Sequence, residues 1–188
     1  TPTNSGGTWS GPGVTDNGNG TATFNPSGLF GSNTVTYSYT NSNGCSNSDT
    51  ANIIVYKSPT ADAGNYGPLC DNVSPITLTG TPTNSNGTWS GTGVTNNGDG
   101  TATFNPAGLS GSITVTYSYT DGNSCSNSDT ANILVNTAPT VDAGNYGPLC
   151  DNVSPITLTG TPTNSNGTWS GTGVTNNGDG TATFNPAG

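Results

Sequence analysis

Thr1, Thr81 and Thr161 each open the phrase TPTNS, so the 188-residue chain is written on a period of 80 residues. Thr1–Gly80 and Thr81–Gly160 differ at 15 positions, several of them conservative, such as Ile54 against Leu134 and Asn41 against Asp121. The stretch Thr161–Gly188 repeats Thr81–Gly108 letter for letter. Solenoid units run to roughly 20–45 residues, whereas about 80 is the size of an autonomous domain. Each repeat is therefore expected to fold as a bead of its own.

The pattern of apolar residues says what kind of bead. In SITVTYSYT, Ile113, Val115, Tyr117 and Tyr119 alternate with Thr114, Thr116 and Ser118, the period of a strand with one buried and one wet face. TANILVN does the same with Ala131, Ile133 and Val135, PITLTG with Ile156 and Leu158, and TATF with Ala102 and Phe104. No helical stripe competes with these. The turn signals NNGDG (Asn96–Gly100), NPAG (Asn105–Gly108) and DGNS (Asp121–Ser124) separate the runs, and Asn-Gly and Asp-Gly supply the positive φ of tight turns. Hydrophobic residues make up 28% of the chain, beside 29 Gly and 13 Pro, so its ordering depends on this patterning rather than on bulk hydrophobicity. Short strands at this spacing predict an all-β fold of tandem immunoglobulin-like β-sandwiches. Trp89 is then expected to be the core plug between sheets, against the alternative of a ligand-stacking platform.

The links between beads are expected near Pro59 and Pro139, where YKSPTADAG and NTAPTVDAG follow strand-like runs. The boundaries this gives are 1–57 for the C-terminal part of one repeat, 58–137 for a complete repeat, and 138–188 for the N-terminal part of the next. The chain is accordingly expected to be a window from a longer array.

Cys45 and Cys125 share one phase of the repeat, and Cys70 and Cys150 another. Two pairings are open, Cys70 with Cys125 inside a bead and Cys45 with Cys70 across a link. The sandwich reading puts Cys125 in the last hairpin and the final strand between it and the link, which separates Cys45 from Cys70 and favours the Cys70–Cys125 disulfide. Its loop of roughly 55 residues would contribute about 4 kcal/mol on the chain-entropy model. Metal ligation is the rival, but two Cys without His or a CxxC are a poor zinc set. A bridged small domain indicates an oxidising, extracellular setting.

The charges are ten Asp and the single cation Lys57, with no Glu, Arg or His. Nucleic acid is excluded as a partner because phosphate binding needs clustered cations. Enzyme chemistry is not expected, since no His-based triad, P-loop or dinucleotide fingerprint occurs, and no apolar run suggests membrane insertion. Calcium is the most serious cofactor alternative, at DNGNG from Asp16, at Asp99, or at Asp62 and Asp142 near the links. Each of these loops offers one carboxylate where an EF-hand-like loop needs several, so no cofactor is expected. Asn19, Asn72, Asn86, Asn152 and Asn166 stand in Asn-x-Ser/Thr triplets, which so Asn-rich a chain makes by chance.

The strings DAGNYGPLCDNVSPITLTG and GTWSGTGV…ATFNPAG…GSITVTYSYTDGNSCSNSDTANILV resemble the immunoglobulin-like or PKD-like repeats of giant surface adhesins from Bacteroidota, including gliding-motility adhesins of the SprB kind. The resemblance spans the whole repeat. It implies a long stalk or filament on the cell surface, whose partners are neighbouring repeats of the chain, other filament copies or surface glycans. It further implies O-glycosylation at the Asp-Thr-Ala sequences, with Thr50 and Thr130 as acceptors. A binding module that contacts glycans through Trp9, Trp89 and Trp169 or the Thr faces, and gains from multiplicity, is the alternative.

Overall fold

In the computed structural model, which describes residues 6–187, the alternating runs become strands and no helix forms. Contacts divide the chain into two compact units, one comprising the chain up to Leu69 with Val73–Val135, the other Cys70–Asn72 with the chain from Asn136 onward.

The first unit opens with β1 (Thr8–Ser10), β2 (Val14–Asp16), β3 (Ala22–Phe24), β4 (Gly31–Thr40) and β5 (Ser46–Val55). They form a sheet of order β1-β4-β5 and a separate β2-β3 ribbon. The complete repeat follows with β6 (Leu69–Cys70), β7 (Ile76–Thr79), β8 (Gly87–Gly91), β9 (Val94–Asn96), β10 (Thr101–Phe104), β11 (Gly111–Thr120) and β12 (Ser126–Asn136). Its sheets are β7-β10-β9 and β6-β12-β11-β8. Three strands facing four, with the long last hairpin in the larger sheet and a tryptophan on β8 opposite it, is the arrangement of an immunoglobulin-like sandwich. The fold class expected from the sequence is the fold observed.

The core follows the alternation. In β11 and β12, Val115, Tyr117, Ile133 and Val135 point inward and are at most 1% exposed, while Thr114 and Asn132 between them bond to each other across the outer face, Oγ1 to Oδ1 at 2.7 Å. From the smaller sheet Leu78, Ala102 and Phe104 meet them, each fully buried. Tyr117 lies opposite Trp89 in the β11–β8 ladder, and their rings sit 5.1 Å apart at 46°. The Tyr117 ring occupies the space above Gly80 and Gly87, where a Cβ on either would strike it, and its hydroxyl donates to the Pro82 carbonyl. A period-2 pattern that reaches Gly87 thus leaves out a side chain because an aromatic ring fills the place.

The second unit contains β13 (Ile156–Thr159), β14 (Val174–Asn176) and β15 (Thr181–Phe184), ordered β13-β15-β14. Its register copies the smaller sheet of the complete repeat, Leu158↔Ala182 standing for Leu78↔Ala102. Gly167–Gly171 has the sequence of β8 but forms no ladder, since β8 owes its strand geometry to pairing with β11.

Tyr117→Ala is expected to lower the stability of the complete sandwich by about 3–5 kcal/mol, measured by denaturant unfolding of the 188-residue chain with Trp9 and Trp169 replaced by Phe so that fluorescence reports Trp89. A loss below about 1 kcal/mol would show that the ring is not the core element it looks to be.

Candidate functional site

Three features of the repeat could act on something outside it, namely the tryptophans, the exposed hydroxyl faces and the segments where the chain enters and leaves the sandwich. Each Trp indole N–H donates to a turn glycine carbonyl: Trp9 to Gly20 at 3.0 Å, Trp89 to Gly100 at 3.0 Å and Trp169 to Gly180 at 2.9 Å. Trp89 is 4% exposed, which leaves no ring face for a sugar. It is the core plug expected from the sequence, and the glycan alternative loses that residue.

The segment leading into the complete repeat is fastened to the sandwich after it. Asn127 Nδ2 donates to the Pro59 carbonyl at 3.0 Å, and the Ala63 N–H donates to Asp129 Oδ2 at 2.9 Å. Asp62 and Thr81 exchange backbone bonds, both at 3.0 Å, and the Asp62 carboxylate accepts the Gly64 N–H at 2.8 Å. Asn127 and Asp129 lie in the alternation of Ala131, Ile133 and Val135 on the core-facing side of β12, so they hold the link at the end of the sandwich, where Ala63 joins the core. At the other end of β12, the Asp71 N–H donates to the Asn136 carbonyl at 2.9 Å and Asp71 Oδ1 accepts the Ala138 N–H at 2.8 Å. The sequence reading found the links from their prolines but not these fasteners. The signal was present in SNSD, where side chains that commonly bond backbone groups cluster at the start of a strand.

All four cysteines are free thiols, Cys125 half-buried and Cys45, Cys70 and Cys150 exposed. The intradomain Cys70–Cys125 disulfide is corrected by strand geometry. Cys70 ends β6, next to the Asp71–Asn136 bond at the C-terminal end of β12, whereas Cys125 precedes the first residue of that strand. The 11 residues of β12, at about 3.3 Å each, hold these ends roughly 35 Å apart, and a disulfide tolerates a Cα separation of about 7 Å at most. The sequence reading placed Cys125 correctly in the last hairpin but had no means of placing β6.

Thr50 and Thr130 lie within β5 and β12, and both are exposed. Each stands opposite a threonine of the partner strand, Thr36 and Thr116, and Thr130 precedes the buried Ala131, so its hydroxyl faces solvent. The carboxylates weighed for calcium are engaged in turns. Asp99 Oδ1 accepts the Thr101 hydroxyl at 2.6 Å and its N–H at 2.9 Å, and these bonds hold its carboxyl below the usual aspartate value. Asn19 takes the same place in the first repeat and makes the same pair of bonds to Thr21, at 2.6 and 3.1 Å. A neutral amide thus does the work of the carboxylate. Among the described residues no group of three or more Asp or Cys could hold a metal ion, and no helix is long and apolar enough to cross a membrane.

No family model matches the chain, and no curated protein matches it. Solved structures similar to it are a crystal structure of the titin domains z1z2 in complex with telethonin (16% identity, 71% of this chain and 82% of that one, TM-score 0.29) and Drosophila OTK extracellular domains 3–5 (12%, 97% and 76%, 0.30). A third is protocadherin gamma B2 extracellular cadherin domains 1–5 (12%, 97% and 44%, 0.30). Superpositions this loose carry no conclusion about function.

The Ala63 bond, followed by the Thr130 N–H, lowers the Asp129 pKa. A carboxylate depressed in this way fastens the link above its unfolded pKa and releases it as pH falls through the folded value. The Ala63 amide proton shift is therefore expected to titrate with a midpoint below the ordinary aspartate value of 3.8, and Asp129→Ala to abolish that titration. A midpoint at or above 3.8 would contradict the assignment.

Proposed function

We infer that the chain is a section of an extracellular stalk, a filament or cell-surface adhesin built from near-identical immunoglobulin-like beads with boundaries near residues 57 and 137. The observation that carries this reading is the fastened link. Pro59–Ala63 is bonded to the sandwich that follows it instead of hanging free, and a linker of this kind spaces its domains rather than articulating them. The chemistry of the surface agrees. Thr, Ser and Asn faces with ten Asp against one Lys make a hydrated, anionic rod that resists unspecific sticking. The residues that could recognise a ligand are few, and the large aromatic of the complete repeat is inside. The finer identity, a giant adhesin of the Bacteroidota type serving gliding or attachment, rests on the sequence resemblance alone.

Neighbouring repeats of the chain are the first partners of such a stalk, and a repeated glycan-binding module remains its rival. Electron microscopy of the native assembly tests the reading. A filament with an axial repeat of about 35–45 Å per bead supports it, and a flexible string bending at Pro59 and Pro139 contradicts it. A glycan array probed with the 188-residue chain separates the alternative, because a spacer binds nothing there. O-glycosylation of Thr50 and Thr130 belongs to the same proposal; their exposure is compatible with it. Peptides of the native material that contain Thr50 or Thr130 are expected to be heavier than their sequence mass by whole sugars, and unmodified peptides remove the idea.

A further inference from the structure

Tension along the chain reaches the complete repeat at Pro59 and leaves it at Ala138, and both places are tied to one course of backbone. Pro59 meets Asn127, Ala63 meets Asp129, β6 lies beside β12, and Asp71 meets Asn136 and Ala138. The residue numbers rise together on the two sides, so segment 59–71 runs parallel to β12. From Asn127 to Asn136 the strand covers roughly 30 Å at about 3.3 Å per residue, which carries the pairing from the end where the chain enters to the end where it leaves.

This course decides how the sandwich meets a pull. Tension draws segment 59–71 by its N-terminal end and β12 by its C-terminal end, in opposite senses along one direction. The bonds between the two lie across that direction and share the load, whereas a hairpin opened at its end gives up its bonds one pair at a time. Sliding must also break the ladder on the other side of β12, which runs for ten pairs from Gly111↔Val135 to Thr120↔Ser126. Ala131, Ile133 and Val135 of β12 are buried, and a slip of one residue would turn them to the opposite face.

β6 contributes only Leu69–Cys70 to direct strand pairing, so the polar bonds at the two ends carry much of the hold. Asp71 fastens the exit twice, donating its N–H to the Asn136 carbonyl and accepting the Ala138 N–H on Oδ1. Asn127 and Asp129 fasten the entry, where Ala63 is fully buried. The same residue types recur one period away as Asp151, Asn47 and Asp49, and the link PTADAG recurs as PTVDAG.

We propose that segment 59–71 and β12 form a shear clamp, with Asp71, Asn127 and Asp129 as its polar ends, which lets the bead keep its length under axial tension. The stalk reading supplies only the origin of the tension; the clamp itself is a property of the single bead.

Constant-force spectroscopy of the 188-residue chain, pulled from its ends, is the test, read on the event that releases the length of one 80-residue period. Asp71→Ala, and Asn127→Ala combined with Asp129→Ala, should each shorten the lifetime of the bead under load by more than about tenfold. Their unfolding rates in denaturant, without load, should rise by a smaller factor. Val94→Ala, which trims the core from β9 away from the clamp, should do the reverse: it lowers the denaturant midpoint and leaves the loaded lifetime within about threefold. Direction is the second readout. In a chain with its four cysteines replaced by Ser, handles on Ser110→Cys and Thr137→Cys sit beside the Gly111↔Val135 pair and open the β11–β12 ladder pair by pair. At equal force the lifetime in that direction should be shorter by more than about tenfold. Equal lifetimes in the two directions overturn the proposal. So do clamp variants whose loaded lifetimes match the parent chain, or fall by no more than their unloaded unfolding rates rise. Either failure leaves a filament seen by microscopy in place, and a flexible string seen there leaves the loaded lifetimes unchanged, so the two readings fail separately.

Discussion

The packing of one tyrosine against two glycines and a tryptophan organises the repeat. Tyr117 projects from the longest hairpin and fits where Gly80 and Gly87 leave room, meets the Trp89 ring, and reaches the Pro82 carbonyl. In a chain with so few large apolar residues, a single aromatic contact of this size outweighs several aliphatic ones. Burial pushes its phenol pKa upward, with a smaller contribution from Tyr119. Residues 138–188 form the same small sheet from the same sequence, and Gly167–Gly171 there makes no ladder of the β8 kind. The hairpin is therefore what converts a half-buried sheet into a domain.

The two ends of the sandwich have different chemistry from its middle. Side chains of β12 hold the incoming link through Asn127 and Asp129, and Asp71 holds the outgoing one on both its N–H and its carboxylate. Each of these hydrogen bonds contributes modestly, but they act along the course of the link, and the Asp129 and Asp71 bonds are part-buried. The aspartates that dominate the charge balance are in this way used as local fasteners, at Asp62, Asp71, Asp99 and Asp129, rather than as a shared ion site.

Much of this was legible in the sequence because it depends on period and turn chemistry. The alternation in SITVTYSYT and TANILVN placed β11 and β12, and the Asn-Gly and Asp-Gly turns placed the hairpins between them. The role of Trp89 was legible because the rest of the core is thin and aromatic side chains bury the largest area. What escaped was pairing across the repeat. Nothing in GPLCDN announces that Leu69–Cys70 runs beside the far end of β12, so the disulfide inferred from it failed on about 35 Å of strand. Nor does local pattern reveal that Gly80 and Gly87 are spaces for a ring, or that Asn127 and Asp129 face link residues that lie 68 and 66 positions earlier in the chain. Such contacts belong to the three-dimensional order of strands, which single-strand periodicity does not contain.

The central claim is that residues 58–137 close as one sandwich, with the last hairpin as its keystone. Stretching the 188-residue chain from its ends by single-molecule force spectroscopy tests this most directly. The account predicts one discrete unfolding event that releases about 24 nm of contour length, the extended span of one 80-residue period at roughly 3.5 Å per residue less the length of the folded bead. A featureless extension, or a release corresponding to much less than one period, would contradict it.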